Sequence, residues 1–291
     1  MAGRLAAVVA RLGTATTDFD CCDTSFTIEV NGPGADRALE RAERTARDLE
    51  AQLDAFRDGS AVSRLNKQGS VDNEHVARLL ERALEIHDRT GGAFDVRRGQ
   101  LEHSLKEYLR GDADTPPEPT ESGYASVSIE GTTVETTAPL DLNGLAKGYI
   151  VDEVHAVADG FGRTAFVSGG GDMTPPPGVV GVESPWDTGS HLTHLETDWA
   201  VATSGGYRRE RSGHDHIYDP RDAAVGGEHD LVTVLAARDC TTADALATTL
   251  SALPHTEALA LADGWDGIEA LLVTDGVFRR TAGFEGHVAT A

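Results

Sequence analysis

A chain of 291 residues, 40% hydrophobic and 25% charged, can bury a sizeable core as one large mixed domain or two fused halves, which excludes wholesale disorder. It contains no run of about 18 apolar residues, so no membrane span is expected. With 48 acidic against 25 basic residues the net charge is −23, a field that repels phosphate backbones and anionic lipid and sets nucleic acid and membrane surfaces aside as main partners.

The predicted elements begin with a strand at Phe26–Val30, followed by the turn residues Asn31-Gly32-Pro33-Gly34. Leu39, Ala42, Ala46, Leu49, Leu53 and Phe56 then recur at spacings of three and four, the pattern of one amphipathic helix. A second such helix carries Val76, Leu79, Leu80, Ala83, Leu84 and Ile86 and is closed by Gly91-Gly92. The acidic, proline-rich stretch from Asp112 to Gly123 reads as a surface loop, because no shift in composition follows it. From Tyr124 onward, short β-rich runs (YASVSIE, TTVETT, TAFVSGG, WAVATS, LVTVLAA, ALLVTDG, GVFRRT) alternate with turns, interrupted by helical patterns at Leu145–Ala158 and Thr242–Leu253. Helices gathered early and strands late point to an α+β fold rather than regular βαβ winding.

Only three basic residues are lysine: Lys67, Lys106 and Lys147. Together with 5% aromatics, this composition reads as that of a protein kept soluble in very high salt, an ordinary acidic cytosolic protein being the alternative. Three cysteines, with Cys21 and Cys22 adjacent, do not form a disulfide framework, and a reducing compartment is the default. Arg4 and Arg11 interrupt the N-terminal apolar stretch, and Cys21 follows Asp18-Phe19-Asp20 rather than a lipoprotein cleavage sequence, so the expected location is cytoplasmic.

Five segments hold more Gly, Asp, Ser and Thr than a core requires. Ala93-Phe94-Asp95 reads on its own as a turn with a buried ring. Asp141–Tyr149 runs from a strand end into a helix whose first turn offers free N–H groups and a positive dipole to an anion, and Lys147 stands in it. Lys67 and Lys106 have no such setting and are expected to be dispensable. Ser168-Gly169-Gly170-Gly171-Asp172 is either a tight bend or a place where ligand approaches backbone. Thr203–Tyr207 leads to His214, His216, Asp219, Pro220 and Arg221; two histidines without a third nitrogen or sulfur ligand do not make a zinc site. In Thr242–Thr249, Asp244 and Thr248 lie four residues apart, so their oxygens share a helix face and suit a hard cation, although spacing alone favours a plain helix-start charge with Thr248 packed against the preceding turn.

In this order the segments resemble the ApbE family of flavin transferases, the FAD:protein FMN transferases, from about Phe26 to Val273. The motifs that carry the resemblance are SRLN at Ser63–Asn66, AFD at Ala93–Asp95, DLNGLAKGY followed by Asp152, SGGGD, TSGGY, HIYDPR and TADALATT. The resemblance implies a single α+β domain over 26–291, with mixed or antiparallel sheets, helices packed around them and the flavin in a cleft; residues 1–25 would be an N-terminal extension. It further implies FAD as substrate, Mg2+, transfer of FMN to a threonine or serine hydroxyl of an acceptor redox protein, and release of AMP. FAD contacts carry over to Phe56, Ala93, Phe94, Asp95, Asp141, Lys147 and Tyr218, and an early methionine contact falls on Cys22. Metal ligands carry over to Asp244, Thr248 and the carbonyl of Gly144, while a second aspartate of some members is Ala247 here. His216 is the expected general base and Asp244 the other catalytic residue. Hydrolysis of FAD to FMN and AMP, or flavin binding without catalysis, remain as alternatives.

Overall fold

The structure, a computed structural model, describes residues 13–115, 124–160, 162–187, 189–205, 217–221 and 227–290. Phe26, Ile28 and Val30 alternate with polar residues along strand β2 (Thr24–Asn31), and all three are buried. β2 pairs in register with β1 (Thr14–Cys21), so the large sheet extends to residues N-terminal of the boundary expected at Phe26. The hairpin turns on Cys22 and Asp23, both at φ 56°, the left-handed pair that a two-residue turn between right-twisted strands demands.

Helix α1 (Ala35–Leu53) buries Ala35, Ala38, Ala42, Ala46, Leu49 and Leu53 along one stripe, and it stops before Phe56, which stands in the turn beyond. α2 (Ala61–Gln68) starts where the Ser60 hydroxyl accepts from the Ser63 N–H. A three-stranded sheet of β3 (Ser70–Asp72), β5 (Thr133–Thr136) and β4 (Val127–Glu130) lies alongside α3 (Glu74–Arg89), which Asn73 caps. α4 (Gly99–Arg110) follows a 3-10 turn at Val96–Arg98.

The main sheet has eight strands in the order β1-β2-β6-β7-β10-β11-β12-β13, each pair antiparallel. Its later members are β6 (Thr164–Gly169), β7 (Asp172–Met173), β10 (Ala200–Ser204), β11 (Leu231–Ala236), β12 (Ile268–Thr274) and β13 (Val277–Arg280). A separate pair, β8 (Val180–Glu183) and β9 (His191–Leu195), joins the satellite core around Phe284.

α1 packs on β1, β2 and a further helix, α5 (Asn143–Ala158), which also packs on β6; a second, α6 (Cys240–Ala252), packs on α5, β10 and β11. α5 and α6 are apolar around most of their circumference, and every described residue of α6 except Thr248 is buried. α7 (His255–Asp263) packs against β12 and α6. The α+β architecture and all the β-rich runs appear as expected. α2, α4, α7, β1, β3, β7, β8 and β9 are additions, and residues 116–123 of the expected loop lie outside the described residues.

Candidate functional site

The site forms where α5 and α6 cross. Gly148 makes the crossing possible: a Cβ there would stand 2.5 Å from the Cys240 carbonyl oxygen and 2.8 Å from the Asp244 Cβ. The Gly148 N–H donates to Asp244 Oδ2 at 2.8 Å, which turns the other carboxylate oxygen, Oδ1, toward Lys147 Nζ at 3.7 Å. One turn along α6, Thr248 Oγ1 lies 3.5 Å from the Gly144 carbonyl oxygen. Asp152, two turns along α5, accepts from the Cys240 and Thr241 N–H groups and the Thr241 hydroxyl at 2.6 to 2.9 Å, tying the start of α6 to α5. Burial pushes the Asp152 carboxyl up to about 6 against those hydrogen bonds.

Lys147 ion-pairs with Asp172, the residue that ends the SGGGD segment. That segment is the β6–β7 hairpin, and Gly170, at φ 61°, brings its backbone so close to Thr24 that a Cβ would lie 2.6 Å from the hydroxyl. Burial and the neighbouring Asp244 push the Asp172 carboxyl up, with Lys147 opposing. Burial would lower Lys147, but the charges of Asp172 and Asp244 outweigh it and hold the ammonium protonated. Two buried carboxyl groups thus face one lysine, and Asp172 Oδ1 is buried with no hydrogen-bond partner among the described residues. An oxygen-only donor set with a surplus of negative charge and an orphaned carboxylate oxygen fits a small hard cation.

Beside this junction opens a cavity of about 860 Å3, within the range of small-molecule sites. Cys22, Glu50, Phe56, Lys106, Arg110, Asn143 and Lys147 are among its walls. α4 supplies the cationic side: the Arg110 guanidinium lies 4.2 Å from the Phe56 ring centre, and the His103 ring centre is 5.1 Å from it. Lys106 Nζ binds Asp141 Oδ2 at 2.7 Å and Glu102 at 2.9 Å. Burial favours a neutral Asp141, but the Lys106 charge and the adjacent His103 hold it below the ordinary carboxylate range. Lys106, for which the sequence offered no special setting, thus stands on the cavity wall as the partner of two carboxyl groups. Of the three lysines, only Lys67 stands apart, exposed and paired with exposed Asp58.

Across the Lys106–Asp141 pair, a smaller pocket is lined by Ala93, Phe94, Asp95, Asp141, Gly144, Tyr218 and Thr248. The Phe94 ring packs against Gly144, where a Cβ would approach to 3.1 Å. Asp95 is engaged by Arg97, which contacts it through its N–H, Nε and Nη2 at 2.7 to 2.9 Å. Tyr218 is buried beside Leu101 and Leu105, and burial, with Glu102 and Asp141 nearby, pushes its phenol up. The structure thus brings Phe94, Asp95, Asp141, Tyr218, Gly144 and Thr248 to one wall and Cys22, Phe56 and Lys147 to the next. His216 lies outside the described residues. Sequence reasoning missed Asp172, Lys106 and Arg110; the first was legible only as the end of a glycine run, and the other two lie on a helix whose pattern was not read.

An α+β protein with a cation-walled cleft and a carboxylate–hydroxyl pair at its helix junction is the class that fold and site define. The chain belongs to the ApbE family, whose profile matches residues 22–272. The FAD:protein FMN transferase of Treponema pallidum (strain Nichols) is 30% identical, the match covering 86% of this chain and 81% of that protein. That of Vibrio cholerae O395 is 27% identical, covering 89% and 87%. Among solved structures, the ApbE protein of Thermotoga maritima superposes with a TM-score of 0.84 at 24% identity over 96% of this chain and all of that one. The flavin transferase ApbE of Vibrio cholerae gives 0.78 at 26% identity over 94% and 99%.

Proposed function

We propose that this chain is a FAD:protein FMN transferase that uses Mg2+ to move FMN from FAD to a threonine or serine hydroxyl of an acceptor redox protein, with release of AMP. The observation that carries the reading is the convergence of Lys147, Asp172, Asp244, Thr248 and the Gly144 carbonyl beside a cavity of about 860 Å3. Asp244, Thr248 and the Gly144 carbonyl would hold the ion, which when bound supplies Lewis-acid neutralisation of a pyrophosphate. Lys147 adds a fixed positive charge at the start of α5, where the helix dipole already favours an anion. In the transfer, the acceptor oxygen bonds to the phosphorus on the FMN side and the bond from that phosphorus to the bridging oxygen breaks. AMP departs with the electron pair, and a base takes the hydroxyl proton.

His216 is assigned as that base by type. The nearby carboxylate alternative, Asp219, is already engaged by the Arg221 N–H, Nε and Nη2 at 2.5 to 3.1 Å. A histidine base predicts a transfer rate that rises through roughly pH 6.5, within about one pH unit. A rate that stays flat from about pH 5.5 to 8 removes His216 from the assignment.

The reading as a whole is tested by incubating protein and FAD with an acceptor peptide and following AMP and peptide mass with and without Mg2+. Both signals are expected only with the metal, and Asp244→Ala should abolish both while the circular dichroism spectrum stays native. Full activity of that variant overturns the metal assignment, and AMP without a peptide mass increment makes the enzyme a hydrolase instead.

A further inference from the structure

The turn between β1 and β2, which lends Cys22 to the cleft wall, also carries a pair of thiols whose chemistry the transfer step does not use. Cys21 ends β1 with a buried thiol, and Cys22 is the first residue of the turn, half-buried on the wall of the large cavity. Both thiols are free, and their sulfurs lie 3.7 Å apart. Glu50 on α1 reaches the same point, where its carboxylate accepts the Cys22 N–H, and one ligand atom from each of the three residues lies within 4.8 Å of the other two. Among the described residues this is the one cluster of three such groups.

We propose that Cys21, Cys22 and Glu50 form a binding site for a thiophilic divalent cation of the Zn2+ class, at the rim of the cleft. The spacing is the main argument. Two thiolates bound tetrahedrally at a zinc–sulfur distance of about 2.3 Å stand about 3.8 Å apart, the edge of the tetrahedron. The observed 3.7 Å needs no rearrangement of the turn to meet that value. The left-handed backbone at both Cys22 and Asp23 allows adjacent residues, whose side chains would diverge in a continuing strand, to present their sulfurs side by side.

Two thiols and one carboxylate supply three ligands, and the open cavity offers the fourth position to water and a route of entry. Binding releases two protons, one from each thiol, and leaves a site with two thiolates and a carboxylate around the divalent ion. Its ligands are different from the hard-oxygen set at Asp244, and soft thiolate favours zinc over magnesium.

The test titrates the full chain, with thiols reduced, with Cd2+ and follows the ultraviolet thiolate-to-cadmium absorption. One equivalent is expected to saturate the signal. Cys22→Ser should weaken binding by at least about tenfold, since even partners behind a ligand cost that much, and Glu50→Gln should weaken it in the same direction. Asp244→Ala should leave the absorption unchanged, which separates this site from the transferase reading. In the unaltered protein, Zn2+ should protect Cys22 from alkylation by iodoacetamide, read by peptide mass. No absorption at one equivalent, an undiminished signal in Cys22→Ser, or alkylation at the same rate with and without Zn2+ would each overturn the site.

Discussion

Lys106 and Lys147 reach the cleft from different helices, α4 and α5, and each is tied to a buried carboxyl, Asp141 and Asp172. In a molecule with net charge −23 each is one positive charge set against two carboxyl groups, the points of the cleft at which an anionic ligand would meet a cation. Lys147→Ala and Lys106→Ala should both weaken FAD binding in a flavin fluorescence titration. Lys106→Ala should in addition lower stability by about 3 kcal/mol, because it strands Asp141 and Glu102 as buried carboxyls without a cation. Lys67→Ala, at an exposed pair that lines neither pocket, should behave as the parent protein. Equal effects of all three would show that lysine position carries no information. At the neighbouring hydroxyl, Thr248→Val should cost less turnover than Asp244→Ala, since water can take the place of a hydroxyl ligand but does not replace a carboxylate charge.

At the scale of elements, the α5–α6 crossing decides the geometry of the site. Gly148 lets the two helices touch, its N–H aims Asp244, and Asp152 locks the start of α6 against α5. Gly148→Ala should destabilise the fold by about 1–3 kcal/mol in denaturant unfolding, the cost of overpacking. It should also depress Mg2+-dependent turnover more than FAD binding, because it displaces Asp244 and Thr248 while leaving α4 and Phe56 in place. A variant with parental stability and turnover would show that the crossing tolerates a wider spacing than the contacts imply.

For the whole molecule the excess of acid over base sets the behaviour in salt. Ion pairs such as Lys67 with Asp58 and Arg280 with Glu285 are screened as salt rises, but exposed pairs contribute only about 0–1 kcal/mol each. Repulsion among the unbalanced charges acts over a Debye length of about 30 Å at 0.01 M and about 3 Å at 1 M, so its relief outweighs the weakening of those pairs. The melting temperature should therefore rise from dilute buffer to molar KCl. A flat profile would defeat the reading of salt adaptation and leave the enzyme reading intact.

Sequence alone determined the elements whose pattern is local: the stripe of α1, the alternation in β2, the apolar runs of β10 to β12, and the Asp244–Thr248 spacing on α6. It also supplied the order of motifs by which the family is legible. Only the tertiary structure decided which charges meet. Asp172 finds Lys147 across 25 positions of chain, Asp141 finds Lys106 across 35, and Gly148 finds Asp244 across 96. The physical reason is that hydrophobic periodicity is written within a few turns of one element, whereas an ion pair or a close helix crossing depends on how the sheet and helices dock. The same limit hid the Cys21–Cys22–Glu50 cluster, since nothing in the neighbourhood of two adjacent cysteines indicates that a glutamate 28 residues on will face them.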